Sequence, residues 1–133
     1  MRVISPEKIT DSIKNETELY ILQGLQNFED RLLFIQKGMT LGILAAELKS
    51  NVKYVSVIIK TYKGESFKSY INKLRINYII TKLQSDPIYR KYKISHLADL
   101  SGFTTSSLFS KVFKEITGEK PSEYIASLKD RSQ

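Results

Sequence analysis

Hydroxyl, carboxylate and basic side chains are the groups in this sequence whose types and spacing could do chemistry. Ser106, Ser107 and Ser110 could act as nucleophiles, but no base accompanies them in the neighbouring sequence and no Gly-x-Ser-x-Gly turn presents them. Glu47 and Asp99 have neither a nucleophile nor a second buried acid beside them, so we interpret them as surface residues. We therefore predict that the chain is not an enzyme.

Metal and cofactor binding are disfavoured by the same composition. The chain contains no cysteine and one histidine, which excludes a disulfide framework and any metal site rich in thiolate or imidazole. We interpret the histidine, His96, as an outward-facing helix residue, with a phosphate contact as the alternative. We expect no cofactor and no bound metal.

The apolar runs of the chain are short. The run at residues 32–35 is far shorter than the roughly 20 residues that a membrane-spanning helix needs, and residues 1–6 contain no signal-peptide apolar region. The absence of cysteine is typical of reducing compartments. These features together predict a cytoplasmic chain without membrane contact.

The basic charge of the chain is concentrated in one segment. There are 21 Lys and Arg against 14 Asp and Glu, which gives a net charge of +7 and a pI near 9.5. Residues 1–38 have a net charge of −1, so residues 39–133 hold the whole excess, with a net charge of +8. Such a segment indicates a polyanion partner, usually nucleic acid and in some proteins an anionic membrane surface.

The apolar pattern predicts an all-α fold, because no stretch alternates for long with the period of two that strands require. Ser5-Pro6-Glu7 is a helix-start signature, and a second start follows at Asn15 or Thr17. Apolar residues then recur at spacings of three or four, which predicts a helix over about 18–36 that ends at Lys37-Gly38. Residues 1–38 are therefore predicted to form an N-terminal helical extension.

The remainder of the sequence contains an internal repeat. The pattern Val55-x-x-Ile58-Ile59-Lys60-x-x-x-Gly64-Glu65-x-x-x-x-Tyr70-Ile71 returns fifty-four residues later as Phe109-x-x-Val112-Phe113-Lys114-x-x-x-Gly118-Glu119-x-x-x-x-Tyr124-Ile125. Upstream, Leu44-Ala45 matches Leu97-Ala98 at an offset of fifty-three, so the second copy has one extra residue between its paired helices. The chain therefore contains one supersecondary unit twice.

Each copy has the pattern of a helix-turn-helix unit, in which a short helix ends in a tight turn and a second helix follows. Ala45 and Ala98 fall where the two helices must approach closely, so a small side chain is required there. Gly102 can take the left-handed conformation of the turn at little steric cost. The first unit has Lys49 in that place, where we expect strain or accommodation by the nearby Asn51.

A long helix is predicted to link the two units. Ser66 can cap a helix that runs to about Gln84, and its roughly eighteen residues would span about 27 Å. Gly64 and Gly118 are predicted to end the helices that precede them. The predicted organisation is a first helix-turn-helix unit at 39–65, the linking helix at 66–85 and a second unit at 86–133, whose predicted core is Phe103, Phe109, Val112, Phe113 and Ile116.

The stretch from Thr40 to about Leu128 resembles the AraC/XylS-type DNA-binding domain. The resemblance rests on Ile94-Ser95-His96-Leu97-Ala98, on Gly102-Phe103 and on Phe109-x-x-Val112-Phe113-Lys114-x-x-x-Gly118-x-x-Pro121-Ser122-x-Tyr124. Other phrases, such as Asp86-Pro87-x-Tyr89-Arg90-Lys91-Tyr92, are similar to a subgroup found among Bacteroidetes, in which such domains often end longer chains. The resemblance implies that this chain could be the C-terminal output domain of a longer, membrane-anchored regulator.

The resemblance also implies a function: sequence-specific binding of double-stranded DNA by a transcriptional regulator, with two recognition helices in adjacent major-groove segments. The matching positions for reading bases are Asn51, Lys53, Ser56, Val57, Lys60, Thr105, Ser106, Ser107, Ser110 and Lys111. Lys suits guanine, Asn suits adenine, hydroxyls serve several bases, and Val57 could contact a thymine methyl. The positions expected to hold backbone phosphates are Thr40, Lys63, Ser95 and Lys114, with Thr40 and Ser95 opening the first helix of each unit.

Further partners and an alternative function follow from the same residues. The N-terminal apolar residues either cover the first unit or form a surface for a sensor domain or a second copy; they are Tyr20, Leu22, Phe28, Leu32 and Phe34. The resemblance adds RNA polymerase as a partner. The second recognition helix offers hydroxyls where family members often have Arg or Gln, so we expect weak base discrimination there. The alternative is a protein-interaction module of the same fold that docks a sensor or a helix bundle.

Overall fold

The fold is described by a computed structural model, which covers the backbone of residues 6–131 and the side chains of residues 14–131. Helix is the only regular secondary structure within 6–131, so the all-α prediction is confirmed. The seven α-helices are α1 (Pro6–Asp30), α2 (Leu41–Glu47), α3 (Val52–Lys63), α4 (Phe67–Ser85), α5 (Ile94–Leu100), α6 (Ser106–Thr117) and α7 (Pro121–Arg131). Short 3₁₀ helices lie at Leu33–Ile35 and Pro87–Lys91. The cap predicted at Ser5 lies outside the described residues.

The internal repeat is visible as two pairs of helices. The first helix of each pair, α2 or α5, has 7 residues, and the second, α3 or α6, has 12. The one-residue difference between the copies falls in the turn, as the sequence offsets predict. In the first turn Lys49 has a φ of 53°, and in the second Gly102 has a φ of 94°. The first unit therefore keeps a lysine in the left-handed conformation that glycine adopts in the second.

Local sequence sets the ends of these helices. The predicted caps Gly64 and Gly118 end α3 and α6 with φ values of 72° and 83°. Ser66 opens the linking helix by accepting a hydrogen bond from the Ser69 amide at 3.2 Å. That helix, α4, has 19 residues and spans about 28 Å, close to the prediction.

Two hydrophobic cores share α4. The N-terminal half of α4 supplies Tyr70 and Ile71 to the first core, together with residues of α1, α2 and α3. Its C-terminal half supplies Ile76, Ile79 and Leu83 to the second core, together with residues of α5, α6 and α7. Because one continuous helix contributes to both cores, the two helix-turn-helix units are attached to a common axis.

The N-terminal region differs from the sequence prediction in two ways. A single helix runs through the second start predicted at position 15 or 17. It then ends at Asp30 instead of near Gln36, because Leu32 takes a left-handed φ of 58° and the chain turns into the first 3₁₀ helix. The turn buries Phe34, which packs edge-on against the rings of Phe28 and Tyr78. Burial of this aromatic ring is incompatible with a straight helix through residue 36.

The apolar side chains of the N-terminal region divide between the two predicted roles. Phe28 and Phe34 are buried in the first core and Leu22 is half-buried, so these residues cover the first unit. Tyr20 and Leu32 remain 51% and 40% exposed. The covering role is therefore confirmed for part of the set only.

Ile116 is a wrong core prediction. Its side chain is 37% exposed, although it lies on the same side of α6 as the buried Val112. The physical reason is an open groove of about 240 Å³ between α6 and the start of α4, which both Val112 and Ile116 line. The core of the second unit ends one turn before the end of α6.

A larger side chain at Ala98 tests whether the paired helices α5 and α6 approach closely there. It is 1% exposed in the second core, so Ala98→Leu would force several extra carbon atoms into packed space and lower the free energy of unfolding by about 1–3 kcal/mol or more. The matched control is Ala46→Leu on the exposed face of α2, which should change stability by less than about 0.5 kcal/mol. Urea denaturation measures both, and equal stability of the Ala98 variant and the parent would contradict the account.

Candidate nucleic-acid interface

The helix α3 has one buried and one exposed face. Its buried face, Val55, Ile58 and Ile59, packs in the first core. Its opposite face presents Val52, Lys53, Val57 and Lys60 to solvent, with Ser56 half-buried between them. We call these five residues the α3 face. Their spacing of one, three and four residues places them on one side of the helix.

The helix α6 repeats this arrangement. Phe109, Val112 and Phe113 are buried, and the opposite side carries Ser106, Ser107, Ser110, Lys111 and Lys114, which we call the α6 face. Four of these residues are exposed and Ser110 is half-buried. The offset of fifty-four residues pairs every position of one face with a position of the other. The fold therefore presents two equivalent helix faces that differ in some of their side chains.

Asn51 and Thr105 are the N-cap residues of α3 and α6, and their side chains accept hydrogen bonds from backbone amides. The Asn51 Oδ1 accepts a hydrogen bond from the Tyr54 amide at 2.8 Å, and the Thr105 Oγ1 accepts one from the Leu108 amide at 3.1 Å. These bonds fix the first turns of α3 and α6. The groups left for a ligand are the Asn51 amide nitrogen and the Thr105 hydroxyl proton.

The predicted helix openers at Thr40 and Ser95 have different outcomes. Thr40 is the N-cap of α2, and its Oγ1 accepts from the Ile43 amide at 3.1 Å, as expected. In the second unit the N-cap is Lys93, and Ser95 is the second residue of α5. The prediction for Ser95 as the opener is wrong because the offset of fifty-three pairs Thr40 with Lys93.

The two lysines predicted to hold phosphates are placed differently. Lys63 lies 3.3 Å from the Glu29 carboxylate and 5.9 Å from the centre of the Tyr70 ring. Tyr70 donates to the same carboxylate at 2.6 Å, and its burial and this bond raise the pKa of its hydroxyl. Lys63 therefore has an internal partner, whereas Lys114 is exposed and has no ion-pair partner among residues 14–131.

The described side chains of α1, residues 14–30, leave the α3 face open. α1 packs on the core side of the first unit, where Glu18 accepts from the Tyr62 hydroxyl at 2.8 Å. At Gly24 an added Cβ would lie 2.2 Å from a methyl carbon of Leu48, so the absence of a side chain permits the close approach of α1 to the end of α2. The α3 face lies on the other side of its helix and stays in solvent.

Comparison with known proteins identifies this arrangement. A family model described as "Helix-turn-helix domain" matches residues 44–127, which is more than half of the chain. The chain belongs to the AraC-type helix-turn-helix family. This family comprises the DNA-binding domains of transcription regulators and is not a class of enzymes.

Individual relatives agree with this assignment. The TCP pilus virulence regulatory protein of Vibrio cholerae is 28% identical over 118 residues, which are 86% of this chain and 41% of that protein. The C-terminal domain of AraT, a response regulator from Geobacillus stearothermophilus, is 27% identical with a TM-score of 0.70, over 81% of this chain and 84% of that one. The DNA-binding domain of AdpA, solved in complex with a target DNA, is 15% identical and shows the shared fold alone, with a TM-score of 0.71 over 84% of this chain and 94% of that one.

Among the described residues, no group of three or more His, Asp or Glu side chains could hold a metal ion. No helix in the same part of the chain is long and apolar enough to cross a membrane.

The structure also reveals a residue that the sequence analysis missed. Arg75 lies in the middle of α4 with 8% of its surface exposed. Its Nε donates to the Phe34 carbonyl at 2.6 Å and a terminal nitrogen donates to the Gln36 carbonyl at 3.1 Å. Its guanidinium stands 5.7 Å from the Phe103 ring centre, and burial lowers its pKa from the ordinary 12.5. The signal in the sequence was an arginine between Ile71 and Ile79 at helical spacing.

Arg75 joins three parts of the AraC-type domain. We call residues 31–40, between α1 and α2, the connector. Arg75 binds two connector carbonyls, and Phe103 belongs to the turn of the second unit. A second contact bridges the same parts, because Lys37 of the connector pairs with Asp99 of α5. The connector thus contacts both units.

A substitution at Gly102 tests how closely the connector packs against the turn of the second unit. An added Cβ would lie 2.7 Å from the Ile35 carbonyl oxygen and 2.9 Å from Arg75 Nε, so Gly102→Ala meets both a left-handed backbone and a collision. We expect a loss of about 1–2 kcal/mol from the backbone and about 1–3 kcal/mol more from the collision, measured by urea denaturation.

The control variant is Gly118→Ala. Gly118 has a φ of 83°, but nothing lies within 4 Å of its added Cβ, so only the backbone cost of about 1–2 kcal/mol should appear. The same loss of stability in both variants would show that the connector does not press against the second turn.

Proposed function

We propose that this chain is the DNA-binding domain of a transcriptional regulator and that it inserts α3 and α6 into adjacent major-groove segments of one duplex. The proposal rests on one observation: two helices of equal length, in equivalent units, each turn a face that carries lysine and serine side chains away from the core. An α-helix of this size fits the major groove of B-form DNA. The charge of +8 on residues 39–133 supplies the attraction for phosphates.

The linking helix supports the simultaneous use of both faces. α4 spans about 28 Å, and one turn of B-form DNA is about 34 Å long. Both units pack on α4, and the connector joins them a second time through Arg75. A rigid pair of units at this scale can contact two successive major-groove segments on one side of the duplex.

The contacts divide into base reading and positioning. We propose base reading for Lys53, Ser56, Val57 and Lys60 of the α3 face and for Ser106, Ser107, Ser110 and Lys111 of the α6 face, with Asn51 and Thr105 as both caps and readers. Thr40 at the start of α2 and Lys114 on α6 would hold phosphates. For Lys63 and Ser95 a phosphate contact stays a prediction, since Lys63 has an internal partner and Ser95 lies within α5.

The whole regulator is larger than this domain in our proposal. The chain spans 41% of the length of the Vibrio relative. Tyr20 and Leu19, 51% and 58% exposed on α1, support a surface for a sensor domain or a second copy, and RNA polymerase is a further proposed partner. A bacterial regulator of this kind would act in the cytoplasm, where the chromosome lies.

The function is tested by titrating the chain against duplexes of 20 base pairs or longer over a series of salt concentrations. A DNA-binding domain should lose affinity linearly in log salt, with a slope near −0.9 per neutralised phosphate. A protein-interaction module would bind weakly, with no preferred sequence in a selection from random duplexes.

Substitutions of two lysines distinguish base contacts from phosphate contacts. Lys53→Ala should weaken binding to the selected site and reduce the preference for that site over random duplexes, because a base contact is lost. Lys114→Ala should weaken binding to all duplexes alike and reduce the magnitude of the salt slope by about one. Fluorescence anisotropy measures both effects, and unchanged affinity in both variants would show that α3 and α6 do not contact DNA.

A further inference from the structure

The α3 face contains two exposed valines that the fold does not need. Val52 and Val57 are 47% and 51% exposed, so neither contributes its full side chain to the core. β-Branched residues also have lower helix propensity than Ala, Lys or Glu, which commonly occupy exposed helix positions. Packing and local stability therefore leave these two residues unexplained.

The equivalent positions of the second unit are polar. The offset of fifty-four residues pairs Val52 with Ser106 and Val57 with Lys111. Of the three remaining pairs of positions, two are identical, since Ser56 pairs with Ser110 and Lys60 pairs with Lys114, and the third pairs Lys53 with Ser107. The two faces therefore differ in polarity at two positions, where α3 has aliphatic side chains and α6 has a hydroxyl and an ammonium.

Aliphatic side chains have one apolar target in the major groove. Guanine, cytosine and adenine present hydrogen-bond donors and acceptors there, whereas thymine adds its C5-methyl group. Val52 and Val57 are five residues apart, which is about 7.5 Å along the helix axis, or about two base-pair steps, and about 140° around it, so they lie at opposite edges of the α3 face. Two valines at this separation can contact methyl groups at two nearby positions.

We propose, on the basis of the function proposed above, that Val52 and Val57 determine specificity by contacting thymine methyl groups. The half-site under α3 then carries thymines and supplies most of the sequence discrimination. The half-site under α6 is read mainly by hydroxyls, which serve several bases, and adds mainly affinity. Val52 joins the base-reading set as a specificity-determining residue.

The experiment starts from a duplex obtained by selection and assigns its two halves. The chain contains no cysteine, so Thr61→Cys, at an exposed position on α3, can carry a single DNA-cleaving iron chelate. The cleavage pattern identifies the half-site under α3. Each thymine in either half is then replaced singly by deoxyuridine, which keeps the base pair and removes only the methyl group.

We expect an asymmetric result in anisotropy titrations. At one or more positions in the α3 half, deoxyuridine should weaken binding about three- to fivefold, which corresponds to one buried methyl group. In the α6 half, the same replacement should change affinity by less than about 1.5-fold. In Val57→Ala or Val52→Ala, both folded by circular dichroism, the penalty at the corresponding position should disappear.

The matched control is Lys111→Val, which gives α6 the side chain that α3 has at the equivalent position. It should create a deoxyuridine penalty in the α6 half when a thymine is present there. Salt-dependent duplex binding without any deoxyuridine penalty in the α3 half would overturn methyl reading and leave the proposed function standing. Absence of duplex binding would overturn both.

Discussion

The bonds of Arg75 to the connector are the interaction on which the arrangement of this domain depends. Because only 8% of Arg75 is exposed, its donors must be satisfied within the protein, and the Phe34 and Gln36 carbonyls satisfy two of them. These carbonyls are available only because α1 ends at Asp30 and the chain turns at Leu32, in a left-handed conformation that costs a non-glycine residue about 1 kcal/mol or more. The connector then lies between α4 and the turn at Gly102, where no side chain could fit.

This arrangement links local structure to the proposed function. Each helix-turn-helix unit packs around its own core, and α4 is the helix that the two cores share. Without the connector, the rotation of one unit relative to the other would depend on packing against α4 alone. The connector adds a second attachment through Arg75 and through the pair of Lys37 and Asp99. It also follows directly after α1, so any partner that moves α1 acts on the part of the chain that holds the two units together. The same helix presents Tyr20 to solvent.

The sequence was sufficient for features that depend on local rules and on the repeat. The repeat located both helix pairs, the caps at Gly64, Gly118 and Ser66, and the length of α4. The prediction from sequence was wrong where tertiary contacts override the periodicity of apolar residues. In the sequence, the apolar spacing of the first helix continues to Ile35. In the structure the helix ends at Asp30, because Phe34 is buried and the Phe34 carbonyl accepts a hydrogen bond from Arg75. Ile116 has core spacing, yet it lines an open groove between α4 and α6. The N-cap of α5 is Lys93, two residues before Ser95, because the offset of fifty-three residues pairs Thr40 with Lys93.

The central claim is that the connector and α4 hold the two recognition helices in one fixed register. It is tested most directly by measuring the affinity of the chain for duplexes in which one to five base pairs are inserted between the half-sites, with Arg75→Lys measured in parallel. A rigid domain cannot engage both half-sites once they are rotated apart, so affinity should fall by about tenfold or more within a half-turn, and less steeply in the variant. Equal affinity of the parent chain across the whole series would contradict the account.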